Sequence, residues 1–263
     1  MARTQENQAH YKRDYQAHVQ ELLAKHSLDE AMALAVGGDY EEAGKIQESL
    51  LLMFDALQAA SIIDLGCGSG RLASRLGRHY RGSYLGIDVV KELLDYADSR
   101  TPTNFRFAEV DEISIPAPDA SADLVTAFSL FTHLLHEETY LYLEESKRVL
   151  KPGGLLIFSF MEYGGANHME VFQGSLELHR AGQAKHLNIF IEQQAIVLWA
   201  ETLGLTLSRI INGREPVIPI DEPVTYANVP AIDIALIPSD QKDGRVETNL
   251  ASFGQSLAVL QKP

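Results

Sequence analysis

The sequence holds a single cysteine, Cys67, among 263 residues. That excludes an internal disulfide framework and fits a reducing cytoplasm. Long apolar runs are missing too: none approaches the roughly 20 residues that cross a bilayer. The N-terminal "MARTQENQAHYKRDY" has no apolar core of the kind a secretory signal carries. Neither membrane insertion nor export is expected. Positive charge is in deficit, with 22 Lys and Arg against 36 Asp and Glu and a formal net charge of −14. Such a chain has no long-range attraction for nucleic acid or anionic membranes, and no Lys/Arg cluster stands out locally. No histidine pair has zinc-like helical spacing with a third ligand, so no metal is expected. Repeats and low-complexity segments are absent.

Two phosphate-binding signatures are also lacking, although a glycine-rich loop is present. "IIDLGCGSGRLASRL" spaces its residues as Asp64-x-Gly66-x-Gly68-x-Gly70. Counted from Gly66, the third glycine of a dinucleotide fingerprint would fall at Arg71, and no Gly-Lys-Ser/Thr of a P-loop follows. What remains is a wide glycine loop between a strand and a helix N-terminus. Its backbone N–H groups, helped by the helix dipole, suit a ligand carboxylate.

Around this loop, residues 60 to 160 alternate apolar runs ("ASIID", "SYLGID", "FRFAEVD", "ADLVTAFS", "GGLLIFSF") with helical stretches such as "GRLASRLGRHY" and "EETYLYLEESKRVL". That alternation predicts βαβ units and a parallel sheet covered on both faces. Residues 1 to 58 read as helices, with Tyr11, Tyr15 and Val19 on one stripe. Segment 161–190 has no clear period and reads as an irregular excursion over the sheet edge. "IEQQAIVLWAETLG" is a helix with Trp199 on its core side, and "LTLSRII" is a strand. Residues 212–250 carry five of the ten prolines (216, 219, 223, 230 and 238). This stretch is too long for an ordinary connection, so it reads as an ordered functional insertion or a flexible flap. "QSLAVLQ" closes the sheet, antiparallel if it enters from a hairpin-like connection.

Two further acids follow the loop. Asp88 ends "YLGID" 18 residues after Gly70, where a carboxylate accepts from ribose hydroxyls. Asp111 follows "FRFAEV", placed to accept from an exocyclic amine such as that of adenine. Three acids at three successive strand ends describe a ligand with an amine, a ribose and an adenine, and no phosphate partner.

With "IIDLGCGSGRLASRL", "YLGIDVV", "AEVDEISIPAPDASADLVTAFSLFTHL" and "RVLKPGGLLIFSF" in this order, the chain resembles the class I S-adenosylmethionine-dependent methyltransferases. The resemblance is strong over residues 58 to 160 and looser beyond. It implies a three-layer α/β/α sandwich with a seven-stranded sheet in the order 3-2-1-4-5-7-6, strand 7 antiparallel. S-adenosylmethionine is the cofactor it implies. Asp64, Gly66, Cys67, Gly68 and Gly70 would surround the methionine part, Asp88 and Val89 the ribose, and Asp111 with the Glu112 amide the adenine. Phe128, in "AFSLF", would line the methyl-donor side. The stand-alone bacterial type acting on small molecules, sugars or lipid-linked glycans fits the layout best. One methyltransferase domain over 1–263 is expected, with 1–58 as a helical cover, 59–160 as the cofactor-binding core and 161–263 as acceptor-side insertions and last strands. Monomer and homodimer both remain open.

The acceptor side rests on individual residues. His133, in "FSLFTHLLHEET", sits where an imidazole of near-neutral pKa takes an acceptor hydroxyl's proton; the competing reading is a packing or capping histidine. Glu162, with Tyr163 beside it at the end of the fifth strand, is a second candidate base or an acceptor-binding group, against a solvated loop charge. His168 and His186 read as surface histidines. Tyr11 and Tyr15 read as the packed face of a helix rather than a lid. Cys67 reads as a small side chain beneath a turn, since no partner makes it a nucleophile. Glu144, Glu145, Lys147 and Arg148 read as a solvated helix face. The expected reaction is methyl transfer to an oxygen, less readily a nitrogen, of a small molecule. A protein methyltransferase, a non-catalytic S-adenosylmethionine-binding protein and a nicotinamide oxidoreductase are the competing readings, the last weakened by the missing x-x-G spacing.

Overall fold

The computed structural model describes residues 10–164, 166–182, 187–227 and 245–263. His186 and two of the prolines of the 212–250 stretch, Pro230 and Pro238, lie outside the described residues, as does the side chain of Tyr11. The strands are β1 (Ser61–Leu65), β2 (Ser83–Asp88), β3 (Phe105–Glu109), β4 (Ala122–Ala127), β5 (Leu150–Phe160), β6 (Thr206–Ile211), β7 (Ile218–Ala227), β8 (Arg245–Ala251) and β9 (Ser256–Gln261). Seven of them make one sheet, in the order β3-β2-β1-β4-β5-β9-β6. β9 runs antiparallel to both its neighbours and the rest pair in parallel. This is the expected order with an antiparallel last strand; β7 and β8, a separate antiparallel pair, only shift the count.

The helices are α1 (His10–Leu23), α2 (Leu28–Ala35), α3 (Tyr40–Met53), α4 (Arg71–Leu76), α5 (Lys91–Ser99), α6 (His136–Val149), α7 (Ala166–Arg180) and α8 (Gln193–Leu203). Adjacent residues of a strand point to opposite faces, and both faces here are apolar. Ile62, Leu124 and Ile157 pack with Leu50 and Leu51 of α3 and Leu72 of α4. Ile63, Val125 and Leu156 pack on the other side with Leu143 of α6 and Ala200 of α8. A third cluster joins Val19 of α1 and Met32 of α2 to Leu93 of α5. Chain order reverses between β1 and β4, because β2 lies to one side of β1 and β4 to the other. A parallel sheet opens a crevice at such a switch point, beyond the C-terminal strand ends.

One reading of the sequence is corrected, and a second is narrowed, over the described residues, to its ordered alternative. The irregular excursion of 161–190 contains α7, a 15-residue helix. Its apolar residues Val171, Leu176 and Leu178 stay exposed, so no buried stripe imposed a period. The 212–250 insertion contains β7 and β8, and Ile218 and Ala251 at its base are buried in the cluster shared with α3.

The glycine loop shows why its spacing alternates. Gly66, Gly68 and Gly70 take φ of +65°, +54° and +83°, the left-handed region that side chains disfavour. A Cβ on Gly70 would also stand 2.7 Å from Cβ of Ala97 in α5. Gly153 has a similar φ of +81° with nothing within 4 Å of a Cβ. Gly153→Ala is therefore expected to cost about 1–2 kcal/mol of stability. Gly70→Ala, which adds a steric clash to the same strain, should cost clearly more in denaturant unfolding.

Candidate active site

Beyond the switch point lies a cavity of about 390 Å³, within the size range of small-molecule sites. One end is built by the loops after β1 and β2, with Gly66, Gly68, Arg71, Asp88 and Val89. The other is built by the segment after β4 and the turn before β9, with Phe128, Ser129, His133 and Gln255. Tyr15 and His18 of α1 and Val36 after α2 complete the wall.

Asp88 holds the first end together. Its Oδ2 accepts from the Gly68 amide at 2.9 Å, and its Oδ1 from the amides of Val89 and Val90 at 2.7 and 3.1 Å. Burial raises its pKa, and those three N–H groups oppose the rise. An ionised carboxylate has about four acceptor positions, so one remains for a ligand hydroxyl. The N-terminal helices clasp the same loop. Tyr40 donates to the Ser69 carbonyl at 2.8 Å, Ser69 donates to the Met32 carbonyl at 2.9 Å, and a Cβ on Gly68 would come within 2.6 Å of Val36 Cγ1.

Asp64 lies beneath the loop, outside the cavity lining. Tyr84 donates to its Oδ2 at 2.6 Å and Thr126 to its Oδ1 at 2.7 Å. Burial pushes its pKa up to about 6, against these two hydrogen bonds and the charge of Arg71. Cys67 is buried, its Sγ facing Gly86, where an added Cβ would lie 2.8 Å away, and burial raises its thiol pKa well above the ordinary value. Gly70 packs on α5 instead of lining the cavity.

Arg71 was read from the sequence only as a failed glycine. It opens α4 and lines the cavity, yet its guanidinium makes no ion pair or hydrogen bond among the described residues. Burial lowers its pKa, and the charge of Asp64 partly restores it. A cation facing a cavity without a partner suits an anionic ligand group.

The adenine-side residues lie apart from the cavity wall. Asp111 and Glu112 are exposed and outside the lining. Lys12 of α1 bridges Asp111 and Glu109, and these partners raise its pKa. Val89 and Val110 are the side chains that line the cavity there. The sequence could not foresee this, because Lys12 is about a hundred residues away.

On the acceptor side, His133 lines the cavity. Its Nδ1 lies 2.9 Å from the Leu187 carbonyl, a group that only accepts, so Nδ1 carries the proton and Nε2 keeps the lone pair. Burial lowers its pKa against the help of that carbonyl, leaving the imidazole neutral at pH 7. Tyr15 meets it edge-on, ring centroids 5.4 Å apart. The Tyr15 phenol has its pKa raised by burial and by Asp88. Tyr15, read as a packing residue, is thus also part of the cavity wall. Phe128 lines the cavity with its ring 5.2 Å from that of Phe253.

Glu162 does not face the cavity, a correction to its reading as a candidate base. It is buried, with Ser256 donating to Oε1 at 2.5 Å and Gln193 to Oε2 at 2.8 Å. His168, read as a surface histidine, is buried as well, with Nε2 3.0 Å from the Gly254 carbonyl. Both serve the turn before β9. Gln255, carried by that turn, escaped sequence reasoning, and no local pattern marks it; Ser129 belongs to "AFSLF" and lines the cavity beside Phe128.

Comparison with known proteins bears on this geometry. Residues 63–158 match the family model described as a methyltransferase domain. Methyltransferase GfsG of Streptomyces halstedii is 26% identical over 84% of this chain and 81% of its own length. Malonyl-[acyl-carrier protein] O-methyltransferase of Serratia marcescens is 27% identical over 68% of this chain and 77% of its own. In fold, the chain superposes on magnesium protoporphyrin IX methyltransferase of Synechocystis PCC 6803 with bound S-adenosylmethionine, at a TM-score of 0.57, full coverage of both chains and 11% identity. Residues 63–158 thus form a methyltransferase domain, and the fold is that of the class I S-adenosylmethionine-dependent methyltransferases. The Synechocystis neighbour holds S-adenosylmethionine, and the cavity here offers an unpaired cation, a free carboxylate acceptor position and apolar walls. Among the described residues, no helix is long and apolar enough to cross a membrane.

Asp64 gives a pH signature. Its folded pKa, about 6, lies above the ordinary 3.8, so the folded chain binds that proton more tightly than the unfolded one. Ionisation of Asp64 then costs stability as pH rises through that interval. Relative to the parent, Asp64→Asn should gain stability between pH about 4 and 6, by about 3 kcal/mol at most, and stay level above. Denaturant unfolding across that range checks it.

Proposed function

We propose that the chain transfers a methyl group to an oxygen of a small, largely apolar hydroxylated acceptor, with His133 as the general base. The single observation that carries this reading is the neutral His133, its Nδ1–H held by the Leu187 carbonyl and its Nε2 left basic in a cavity wall. When bound, S-adenosylmethionine supplies a sulfonium methyl that is already a strong electrophile. The chain's part is to position, to exclude water and to take one proton. Arg71 is the counter-ion for the donor carboxylate, Asp88 accepts from ribose through its remaining position, and Val89 and Val110 flank the adenine. The N–H groups of the loop around Gly66 and Gly68 complete the methionine end.

Apolar side chains such as Leu34, Leu65, Phe128, Leu130 and Leu134 dominate the wall, which favours an apolar or aromatic acceptor over a sugar. The O-methyltransferase named among the relatives supports oxygen as the methylated atom.

Two outcomes check these assignments. With labelled donor and a panel of phenols and carboxylic acids, His133→Ala should lower kcat by about 10²–10⁴ with unchanged affinity for S-adenosylhomocysteine. The parent's rate should fall on the acid side only, below the ordinary imidazole value of about 6.5, because burial lowers the His133 pKa. Arg71→Met should weaken S-adenosylhomocysteine about tenfold in calorimetry. It should leave 5′-methylthioadenosine, which has no carboxylate, unaffected.

A further inference from the structure

Ser129 is the one residue of the cavity wall, glycines aside, that holds a left-handed backbone, with φ of +60°. Such strain persists only where the surroundings impose it, and it gathers at functional sites. Here both of its peptide groups are pinned. The Ser129 amide donates to Ser159 Oγ at 2.7 Å, and Thr132 donates to the Ser129 carbonyl at 2.8 Å. Ser159 is fully buried and donates in turn to Gln255 Oε1 at 2.7 Å.

This chain of bonds fixes which way the Gln255 amide points. Ser159 Oγ already receives the Ser129 N–H, so its own hydrogen needs an acceptor, and Gln255 Oε1 is the acceptor it has. Flipping the amide would leave a buried hydroxyl hydrogen unpaired, at a cost of about 1–3 kcal/mol. The Gln255 NH2 group is therefore the end presented away from Ser159, and it has no partner among the described residues. The turn beneath it is immobilised on several sides. Ser256 donates to Glu162, the Gly213 amide donates to Ser256 Oγ at 3.2 Å, and the Gly254 amide donates to the Gly213 carbonyl at 2.8 Å.

The position within the sheet separates Gln255 from the donor end. Ser256 pairs with Phe160 at the C-terminal end of β5, so Gln255 sits at the same sheet edge as Asp88. β2 and β9 are four strand steps apart, or about 19 Å between strand lines. The cavity wall carries few other polar groups at this end: Ser129 and His133.

We propose that Gln255 selects the acceptor: its NH2 group, oriented by the Ser129–Ser159 pair, recognises a carbonyl or carboxylate oxygen carried by the hydroxylated acceptor. This rests on the reading of the cavity as an acceptor site beside His133. The substrate class is thereby narrowed to hydroxy-ketones, hydroxy-acids and their esters, with simple phenols and alcohols disfavoured. Ser159 is a positioning residue that acts only through Gln255.

The test is binding of matched probes to protein saturated with S-adenosylhomocysteine. 2-Hydroxyacetophenone and 2-ethylphenol have nearly the same shape and differ by one carbonyl oxygen. The parent should prefer the ketone by about tenfold, the worth of one good hydrogen bond in a dry site. Gln255→Leu and Ser159→Ala should each abolish that preference. Gln255→Glu still accepts from Ser159 but offers no donor, so it should lose the ketone preference and gain binding of 2-hydroxybenzylamine. That gain cannot come from loss of structure, and unchanged affinity for S-adenosylhomocysteine marks each variant as folded. His133→Ala should keep the preference. If the parent does not discriminate, or binds neither probe at millimolar concentration, or if Gln255→Leu still prefers the ketone, the proposal is overturned. No turnover is involved, so a failure of His133 as base leaves the result standing. A loss of discrimination likewise leaves the methyl-transfer assignment standing.

Discussion

Everything at the donor end depends on one carboxylate. Asp88 gathers the amides of Gly68, Val89 and Val90 onto its two oxygens, and so ties the loop after β1 to the end of β2. A half-buried charge is tolerated because three N–H donors replace the water it lost. The left-handed glycines follow from the same constraint: the loop must turn its amides toward Asp88 while Val36 and Ala97 press on Gly68 and Gly70. The close approach that the missing side chains permit is, in the folded chain, made first by the protein itself.

A second set of interactions organises the far end, and it has the same logic with different residues. Glu162 and His168 are spent on the turn that carries Gln255, and Ser129 accepts strain so that its amide can orient Ser159. The proposed base, His133, is fixed by a carbonyl instead of a carboxylate. It stays neutral and basic without a nearby negative charge. Each end therefore presents polar groups whose direction was settled before any ligand arrives, which is the condition for precise alignment of two reactants.

Much of the fold was legible in the sequence, because strand alternation and the glycine loop are local signals. The sheet order and the antiparallel last strand follow from the family resemblance, and the structure has both. Legibility failed where a residue's role depends on partners far along the chain. Asp111 at a strand end was read as a ligand for adenine, and its bridge through Lys12 of α1 to Glu109 was not foreseen. Glu162 looked like a base until Ser256 and Gln193 occupied both its oxygens. Gln255 carried no signal at all, since only the register of β9 against β5 brings it to the cavity. Arg71 was visible but misjudged: a residue that breaks one fingerprint is, at the first position of α4, a cation in the cavity wall.

The central claim is that the loop around Gly66 and Gly68, Arg71 and Asp88 form one preorganised donor site. A crystal structure with S-adenosylhomocysteine measures this most directly. The account predicts the product's carboxylate at the Arg71 guanidinium and a ribose hydroxyl on Asp88, with all three backbone amides still bound to that carboxylate. A ribose that displaces the Gly68 amide from Asp88, or a product lying elsewhere with Arg71 facing solvent, would contradict it.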